Sequence, residues 1–218
     1  MLTPLQERLA GIIRSLPEAD GFALAGAGGL IVHGLIERVT RDLDYFAGPG
    51  EAASVGALRD ALESALDEAG LGHRRVRDLE GFVRIEITDG NDHCEVDLAV
   101  DSRVLPLEQS ALGPTLAVRE LAANKVLALF DRAEPRDFLD LAELSRRFDL
   151  GSLLELAAEK DTGFDRFRLL ESLGSFSRFS EADFGLSSAS YRRLQLDVDR
   201  LRRTVAQDLG HEFPGPGL

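Results

Sequence analysis

The chain has 218 residues, of which 44% are hydrophobic and 29% charged, a composition typical of a folded globular protein and not of a disordered segment. It carries 38 acidic and 25 basic residues, and the resulting net charge of -13 argues against a protein that is basic overall and coats nucleic acid. Its one cysteine, Cys94, excludes an internal disulfide framework, and the lack of a signal-peptide core or a bilayer-length apolar run predicts a cytoplasmic protein without a membrane partner.

The N-terminal segments predict a helix, a strand and a second helix. Apolar side chains recur at helical spacing over residues 2–15, and Pro17 closes that pattern. Residues 22–25 predict a short strand that breaks at the Gly-Ala-Gly-Gly turn of residues 26–29. Because helical spacing resumes at residue 30, we expect the glycines at a helix N-terminus, where free N–H groups favour an anion such as phosphate.

A second strand is predicted over residues 40–46, which contain the sequence DLD. Side chains two residues apart on a strand point to the same face, so Asp42 and Asp44 converge. Such a carboxylate pair requires a counter-ion, and its hard oxygen atoms suit Mg²⁺. A solvated strand edge or a helix-capping aspartate is the alternative, since this pattern is common. The turn just upstream, with its affinity for phosphate, favours the metal site.

A helix over residues 52–69 and a charged bridge over residues 74–80 precede a predicted hairpin. Its strands, residues 81–88 and 93–100, both alternate and are joined by an Asp-Gly-Asn-Asp turn. The second strand places Asp97 on its polar face. Asp97 is therefore a third carboxylate available to a site on the sheet, unless it simply faces solvent.

Helices are predicted for the remainder of the chain. A helix over residues 118–132 carries Lys125 at its middle, and Arg132 lies seven residues on along the same face. A snorkelling surface lysine is the alternative for Lys125. The next helix starts after Pro135 and has Asp137 and Asp140 one turn apart, which also suits acids that stabilise a helix N-terminus.

After Gly151 the sequence becomes rich in leucine and arginine and shows no catalytic pattern. Helical segments are predicted over residues 153–160, 164–173 and 191–209, and the tail at 213–217 is expected to fray. Candidate phosphate contacts in this acidic chain are basic clusters, each of which equally fits a solvated face. They are residues 73–77, Arg146 with Arg147, and the group Arg192, Arg193, Arg200, Arg202 and Arg203.

Four stretches of the chain resemble the AbiEii/AbiGii toxin family, a branch of the DNA polymerase β-like nucleotidyltransferases that includes the mycobacterial MenT toxins. They are GAGGL, RVTRDLDYF, EVDLAV and ELAANKVLALFDRAEPRDFLDL, and together they cover most of residues 22–144. The resemblance implies an α+β fold: a mixed, largely antiparallel sheet with flanking helices, followed by a helical C-terminal region. We accordingly expect a nucleotidyltransferase core at residues 1–117 and a helical domain at 118–218 that contributes Lys125 and Asp137 or Asp140 to the site.

The resemblance also implies the roles of individual residues. The expected catalytic set is Asp42, Asp44, Asp97, Lys125, Asp137 and Asp140. The first three of these are the expected ligands of Mg²⁺ or Mn²⁺. The expected nucleotide-binding set is Gly26, Ala27, Thr40, Arg41, Lys125, Arg132 and Arg136. The family usually has Gly-Gly or Gly-Ser at the first turn, where this chain has Gly26-Ala27.

The activity implied by the resemblance is transfer of a nucleoside monophosphate from an NTP to an acceptor hydroxyl, most simply the 3′ end of tRNA, which blocks translation. The basic clusters would hold the tRNA, and no DNA partner is expected. A cognate antitoxin is implied, and Thr40 occupies the place of a hydroxyl that some antitoxins phosphorylate. Two alternatives stay open: an enzyme of the AMPylating type that modifies a protein, and a binding module without turnover.

Overall fold

The computed structural model describes residues 1–210, and the chain divides between Leu121 and Ala122 into two units. The helices in this range are α1 (Pro4–Ser15), α2 (Gly26–Val32), α3 (Ala52–Glu68), α4 (Val118–Asp131), α5 (Pro135–Leu144), α6 (Leu150–Lys160), α7 (Arg166–Gly174), α8 (Glu181–Phe184) and α9 (Ser188–Asp208). The strands are β1 (Ala23–Leu24), β2 (Asp42–Ala47), β3 (Gly72–Leu79), β4 (Phe82–Thr88), β5 (His93–Val100), β6 (Glu108–Ser110) and β7 (Gly113–Thr115). The tail at 213–217, for which we expected fraying, lies outside the described residues.

The first unit is organised on a seven-stranded sheet in the order β3-β4-β5-β2-β1-β7-β6. Strand β2 runs parallel to β5, and β1 runs parallel to β7. The other four neighbouring pairs are antiparallel. With helices α1 to α3 in the same unit and a helical region after it, this confirms the predicted mixed, largely antiparallel α+β fold.

The core of this unit lies on one face of the sheet because the central strands alternate between apolar and polar residues. Leu43 and Tyr45 of β2, and Ile85 of β4, belong to one buried cluster with side chains from α1 and α3. The opposite face therefore receives the intervening polar residues of β2, β4 and β5.

The Gly-Ala-Gly-Gly segment lies at a helix N-terminus, as the sequence predicted. The predicted separate turn ahead of the helix is wrong, because the segment forms the first turn of α2 itself. A Cβ atom on Gly28 would lie 3.2 Å from Leu43, and one on Gly29 would lie 2.8 Å from Leu121. The glycines thus allow the helix to approach its neighbours closely, which outweighs their low helix propensity.

The charged segment at residues 74–80 was also predicted wrongly, because most of it belongs to strand β3. The strand pairs with β4 on one side only and lies at the edge of the sheet. Its side chains lack the apolar alternation that identifies a half-buried strand, since most of them are exposed. A register shift lies between Arg75 and Arg77.

The second unit contains the predicted helices at 153–160, 164–173 and 191–209, which appear as α6, α7 and α9. Phe138 of α5 is fully buried and lies against three further phenylalanines. Its ring centroid is 5.3 Å from that of Phe176, 6.0 Å from Phe179 and 6.4 Å from Phe184. No helix within residues 1–210 combines the length and the apolar character needed to cross a bilayer.

Candidate active site

The polar face of the sheet gathers carboxylates from two adjacent strands. In the parallel pairing of β2 with β5, Asp42 lies opposite Glu95 and Asp44 lies opposite Asp97. Residues directly paired on neighbouring strands project from the same face. The four side chains therefore form one surface, called here the acidic face.

One arginine neutralises part of the acidic face. Arg84 of β4 pairs in register with Asp97, and its Nε and Nη2 atoms donate to the two carboxylate oxygens at 2.7 and 2.6 Å. Its Nη1 atom lies 3.3 Å from Glu95 Oε2. The hydrogen bonds to Asp97 raise the pKa of the Arg84 guanidinium above its usual value. The side chain of Arg84 is 37% exposed, whereas that of Asp97 is 8% exposed.

A glycine gives Asp44 its place on this face. Gly26 adopts φ +54°, in the left-handed region, at the start of α2. A Cβ atom at this position would lie 1.8 Å from Asp44 Oδ2. The contact shows why glycine stands here: any side chain would strain the backbone and displace the Asp44 carboxylate.

Thr40 lies just before β2, and its hydroxyl donates a short hydrogen bond to Asp42 Oδ1. Its carbonyl oxygen accepts from Gln6 Nε2 at 3.0 Å, so both ends of the residue are held. Thr40 is only 4% exposed. The hydroxyl is therefore part of the support of Asp42, and a modifying enzyme reaches it only after local opening.

The residue types at the acidic face fit a hard divalent cation, since Asp42, Asp44 and Asp97 all offer carboxylate oxygens. Within the described residues, however, no group of three or more His, Cys, Asp or Glu side chains is placed to hold a metal ion together. Both oxygens of the third carboxylate, that of Asp97, accept hydrogen bonds from Arg84. The carboxylate oxygens are therefore of the right type for a divalent cation, and those of Asp97 are hydrogen-bonded to Arg84.

Two ion pairs lie within the second unit, Lys125 with Asp140 and Arg132 with Asp137. Lys125 Nζ lies 3.1 Å from Asp140 Oδ2, with side chains 8% and 1% exposed, so Lys125 is not a snorkelling surface lysine. The Nε and Nη2 atoms of Arg132 donate hydrogen bonds to the two carboxylate oxygens of Asp137, each at 3.0 Å. Asp137 also accepts the backbone N–H of Glu134 at 3.1 Å, which caps the start of α5.

The other expected nucleotide-binding residues are placed as follows. Ala27 is buried at 4% exposure, and its methyl group belongs to the packing of α2. Arg41 is exposed, and its carbonyl accepts the N–H of Glu95 at 3.0 Å. Arg136 Nε donates to Glu134 Oε2 at 2.9 Å.

A cavity of about 450 Å³ adjoins the acidic face at the outer strands. Glu95 contributes both to its wall and to the ion pair with Arg84. Glu86, His93 and Arg74 supply further polar groups. The volume lies in the range of small-molecule sites, so there is space beside the acidic face for a group larger than a metal ion.

Cys94 lies on the opposite, core side of β5, 1% exposed. Burial raises the pKa of its thiol to about 12. A thiol of this kind stays protonated near neutral pH and is a poor nucleophile.

Many arginines of the basic clusters are paired with carboxylates. Arg75 makes two 2.6 Å hydrogen bonds to Glu63. Arg146 contacts Asp197 at 2.5 Å and Glu143 at 2.7 Å. These partners reduce the positive charge that the clusters present to a polyanion.

The sequence analysis did not identify Arg84 and Glu95 as site residues. The signal was present, because the four-residue turn of the hairpin places Thr88 opposite His93 and hence Arg84 opposite Asp97. Counting this register from the turn would have identified the arginine that neutralises the third carboxylate.

Several solved structures share this fold. The nucleotidyltransferase toxin MenT4 of Mycobacterium tuberculosis matches with a TM-score of 0.62 and 17% identity over 94% of this chain and 82% of its own. JHP933 of Helicobacter pylori matches with a TM-score of 0.58 and 17% identity over 96% of this chain and 95% of its own. Another H. pylori protein, described as a nucleotidyltransferase by inference, matches with a TM-score of 0.59 and 17% identity over 94% of this chain and 94% of its own. At this identity the likeness concerns the fold.

A protein-family model described as the nucleotidyl transferase AbiEii toxin of a type IV toxin–antitoxin system matches residues 9–211. None of the curated proteins matches the chain in a sequence search. The family match covers both the acidic face and the α4–α5 segment with its ion pairs, well over half of the chain.

Proposed function

The chain belongs to the AbiEii nucleotidyltransferase toxin family of toxin–antitoxin systems, and on that premise we propose that it transfers a nucleoside monophosphate from an NTP to the 3′-terminal hydroxyl of tRNA. The observation that carries the proposal is the acidic face, where Asp42 and Asp44 stand in register with Glu95 and Asp97. Blocked tRNA cannot be aminoacylated, so translation would stop.

Asp42, Asp44 and Asp97 would hold the divalent cation, Mg²⁺ or Mn²⁺, on which the reaction is proposed to depend. When bound, such a cation supplies electrostatic stabilisation of the phosphate oxygens. The chain's own contribution is to hold the carboxylates in position. Gly26 leaves space for the Asp44 carboxylate, and Thr40 fixes that of Asp42 by a hydrogen bond. The first turn of α2, Gly26 and Ala27, is proposed to receive the triphosphate.

In the second unit we propose Lys125 as the residue that contacts the nucleotide triphosphate. Its ammonium group is a point charge suited to phosphate oxygens. Asp140 holds that ammonium at 3.1 Å and thereby orients it. Arg132 and Arg136 are proposed as further contacts of the triphosphate, with Asp137 fixing the guanidinium of Arg132.

The test is incubation of the purified protein with each α-labelled NTP, total tRNA and Mg²⁺. We expect label on tRNA that depends on the cation and disappears in Asp44→Ala. Asp60→Ala is the matched control, since it removes an exposed aspartate on α3, on the core side of the sheet. Transfer that persists in Asp44→Ala, or that fails in the wild type with every NTP, would contradict the proposal.

A protein acceptor is the second candidate, and the charge distribution favours it. The net charge of -13 repels a polyanion, and Arg75 and Arg146 are already paired with acids. Digestion of the labelled species from a cell lysate with nuclease or with protease separates the two acceptors. A binding module without turnover, suggested by Ala27 in place of glycine or serine, predicts thermal stabilisation by NTP without any labelled product.

Thr40 is proposed as a site of phosphorylation by the cognate antitoxin. A phosphate there would place about two negative charges beside Asp42 and oppose the triphosphate. Because Thr40 is 4% exposed, the reaction requires local opening before β2. Intact mass after co-expression with the neighbouring gene product tests this, and an inhibited protein of unchanged mass would contradict it.

A further inference from the structure

The acidic face places four carboxylates beside the guanidinium of Arg84. Four carboxylates, those of Asp42, Asp44, Glu95 and Asp97, project from two adjacent strands. The guanidinium of Arg84 contacts two of them and also interacts electrostatically with Asp44. Since neighbouring like charges destabilise one another, the positive charge of Arg84 stabilises the carboxylates that it contacts.

We infer that Arg84 is a resident counter-ion that competes with the divalent cation for Asp97. The inference rests on the proposed function in one respect, because the cation concerned is the one proposed to serve nucleotidyl transfer. It assigns to Arg84 a positioning role: the residue sets how tightly the acidic face binds metal.

The competition follows from the geometry of the pair. Arg84 donates one hydrogen bond to each oxygen of Asp97, at 2.7 and 2.6 Å, and so uses part of the lone-pair capacity that a metal ion would need. A guanidinium in this place also repels a divalent cation at short range. The arginine and the metal ion therefore compete for the carboxylate of Asp97.

Arg84 has a second position available to it. Its side chain is 37% exposed, and Glu95, itself 37% exposed, lies 3.3 Å from Nη1 on the same face. The guanidinium can move away from Asp97 toward Glu95 and solvent, and it stays hydrated when it does so. The exchange is thus a rotation of one side chain and needs no rearrangement of the sheet.

Metal affinity in the absence of nucleotide provides the test. Mn²⁺ is titrated by calorimetry into the wild type, Arg84→Met and Arg84→Lys. We expect the Kd of Arg84→Met to fall by about tenfold or more, because a repelling charge is gone and Asp97 is released. Arg84→Lys keeps the charge but loses the planar fork, so we expect a fall of only about twofold to threefold.

Arg75→Met is the matched control. Arg75 makes the same kind of two-bond pair, with Glu63, but it belongs to edge strand β3 and contacts α3. Its loss changes the net charge equally, and we expect the Kd for Mn²⁺ to stay within about twofold of wild type. A change as large as that of Arg84→Met would mean that overall charge, and not competition for Asp97, sets the affinity.

A second measurement uses the wild type and avoids the risk that Arg84→Met does not fold. Phenylglyoxal modifies accessible arginines, and peptide mass spectrometry follows each site. We expect saturating Mn²⁺ to increase the modification of Arg84 severalfold and to leave that of Arg75 unchanged. Arg84 modification that is unchanged or reduced by Mn²⁺ would overturn the inference.

Unchanged or weaker Mn²⁺ binding by Arg84→Met would likewise overturn it, as would the absence of Mn²⁺ binding in both proteins. These outcomes are separate from failure of the proposed function. That failure would appear as absent label transfer by the wild type, while the calorimetric difference between the wild type and Arg84→Met would persist.

Discussion

The two ion pairs at the residues expected to be catalytic differ in their access to water. The Arg84–Asp97 pair on the sheet has side chains 37% and 8% exposed. In the Lys125–Asp140 pair of the helical unit the values are 8% and 1%. The N···O distances, 2.6 and 3.1 Å, mark both as direct contacts.

The difference determines what happens when a pair is opened. An arginine at the surface regains water when it leaves its partner, so the pair can exchange at low cost. A buried ammonium cannot, and loss of its partner leaves an unpaired charge inside the protein. The partly exposed Arg84–Asp97 pair therefore suits a site that must admit a ligand. The buried Lys125–Asp140 pair suits an ammonium group that must keep one position.

Removal of one aspartate from each pair should expose this contrast most strongly. Asp140→Ala should lower the free energy of unfolding by about 3–5 kcal/mol, because Lys125 stays buried without this carboxylate. Asp97→Ala should lower the free energy of unfolding by about 1 kcal/mol or less, because Arg84 remains in contact with solvent and with Glu95. Urea unfolding of both variants measures this.

The double variant Lys125→Met/Asp140→Leu serves as the control for Asp140→Ala. Replacement of both side chains should recover part of the lost stability, because the buried ammonium of Lys125 is removed together with the carboxylate. Equal losses in Asp97→Ala and Asp140→Ala would show that exposure does not distinguish the two pairs.

The contact between Gly26 and Asp44 allows a sharper test of the open face. Gly26→Ala and Gly34→Ala both place alanine at positive φ, +54° and +65°, and each should cost about 1–2 kcal/mol. Only at Gly26 does the new methyl group meet Asp44, because Gly34 has nothing within 4 Å. Nucleotidyl transfer should therefore be lost in Gly26→Ala and kept in Gly34→Ala. Equal activity of the folded variants would show that the position of Asp44 is not critical.

The buried side of β5 should make the stability of the protein depend on pH in the alkaline range. Burial raises the pKa of Cys94 from 9.0 to about 12. The unfolded thiol then loses its proton first, so the contribution to stability is complete below about pH 9 and declines as pH rises toward 12. Roughly 1 kcal/mol should be lost by pH 10.

Urea midpoints at pH 8, 9 and 10 measure this slope, which Cys94→Ala should flatten. Burial also raises the pKa of Tyr45 above its usual value of 10.0, so a smaller decline in stability should remain in Cys94→Ala as the pH approaches 10. An identical pH dependence in wild type and Cys94→Ala would contradict the expectation.

The smallest effect is expected at Thr40. Thr40→Val keeps the shape of the side chain but removes the hydroxyl that donates to Asp42, which should cost about 1 kcal/mol. Thr204→Val is the control, because its exposed hydroxyl donates to the Arg200 carbonyl at 3.2 Å. Thermal unfolding of both variants measures this, and a Thr204→Val loss as large as that of Thr40→Val would contradict the role of Thr40.

Sequence patterns predicted the elements whose side chains alternate in polarity. The hairpin of β4 and β5 and the core side of β2 follow the period of a half-buried strand, so their faces were identified from residue order alone. The placement of Asp44 beside Asp97 was expected from the family resemblance and not from a local pattern, because it depends on the parallel pairing of β2 with β5. Such a pairing joins distant segments, and no local pattern specifies it.

The errors have physical causes of their own. β3 was assigned as a bridge because an edge strand with exposed side chains on both faces carries no periodic signal. The glycines at residues 26–29 were correctly expected at a helix N-terminus but were assigned to a turn ahead of the helix, because glycine disfavours helices. Close packing against Leu43 and Leu121 requires glycine in the first turn of α2. Lys125 was weighed as a surface lysine because only tertiary structure supplies the buried Asp140 beside it.

The arginines of β3 have a consequence for behaviour at high concentration. An open strand edge offers unpaired N–H and C=O groups to any other extended chain, and two copies of the protein could join there into a continuous sheet. Charged side chains along β3 and the irregularity between Arg75 and Arg77 oppose such joining, through repulsion and through a broken hydrogen-bond ladder. The charged cluster of β3 should therefore also disfavour edge-to-edge pairing of two copies.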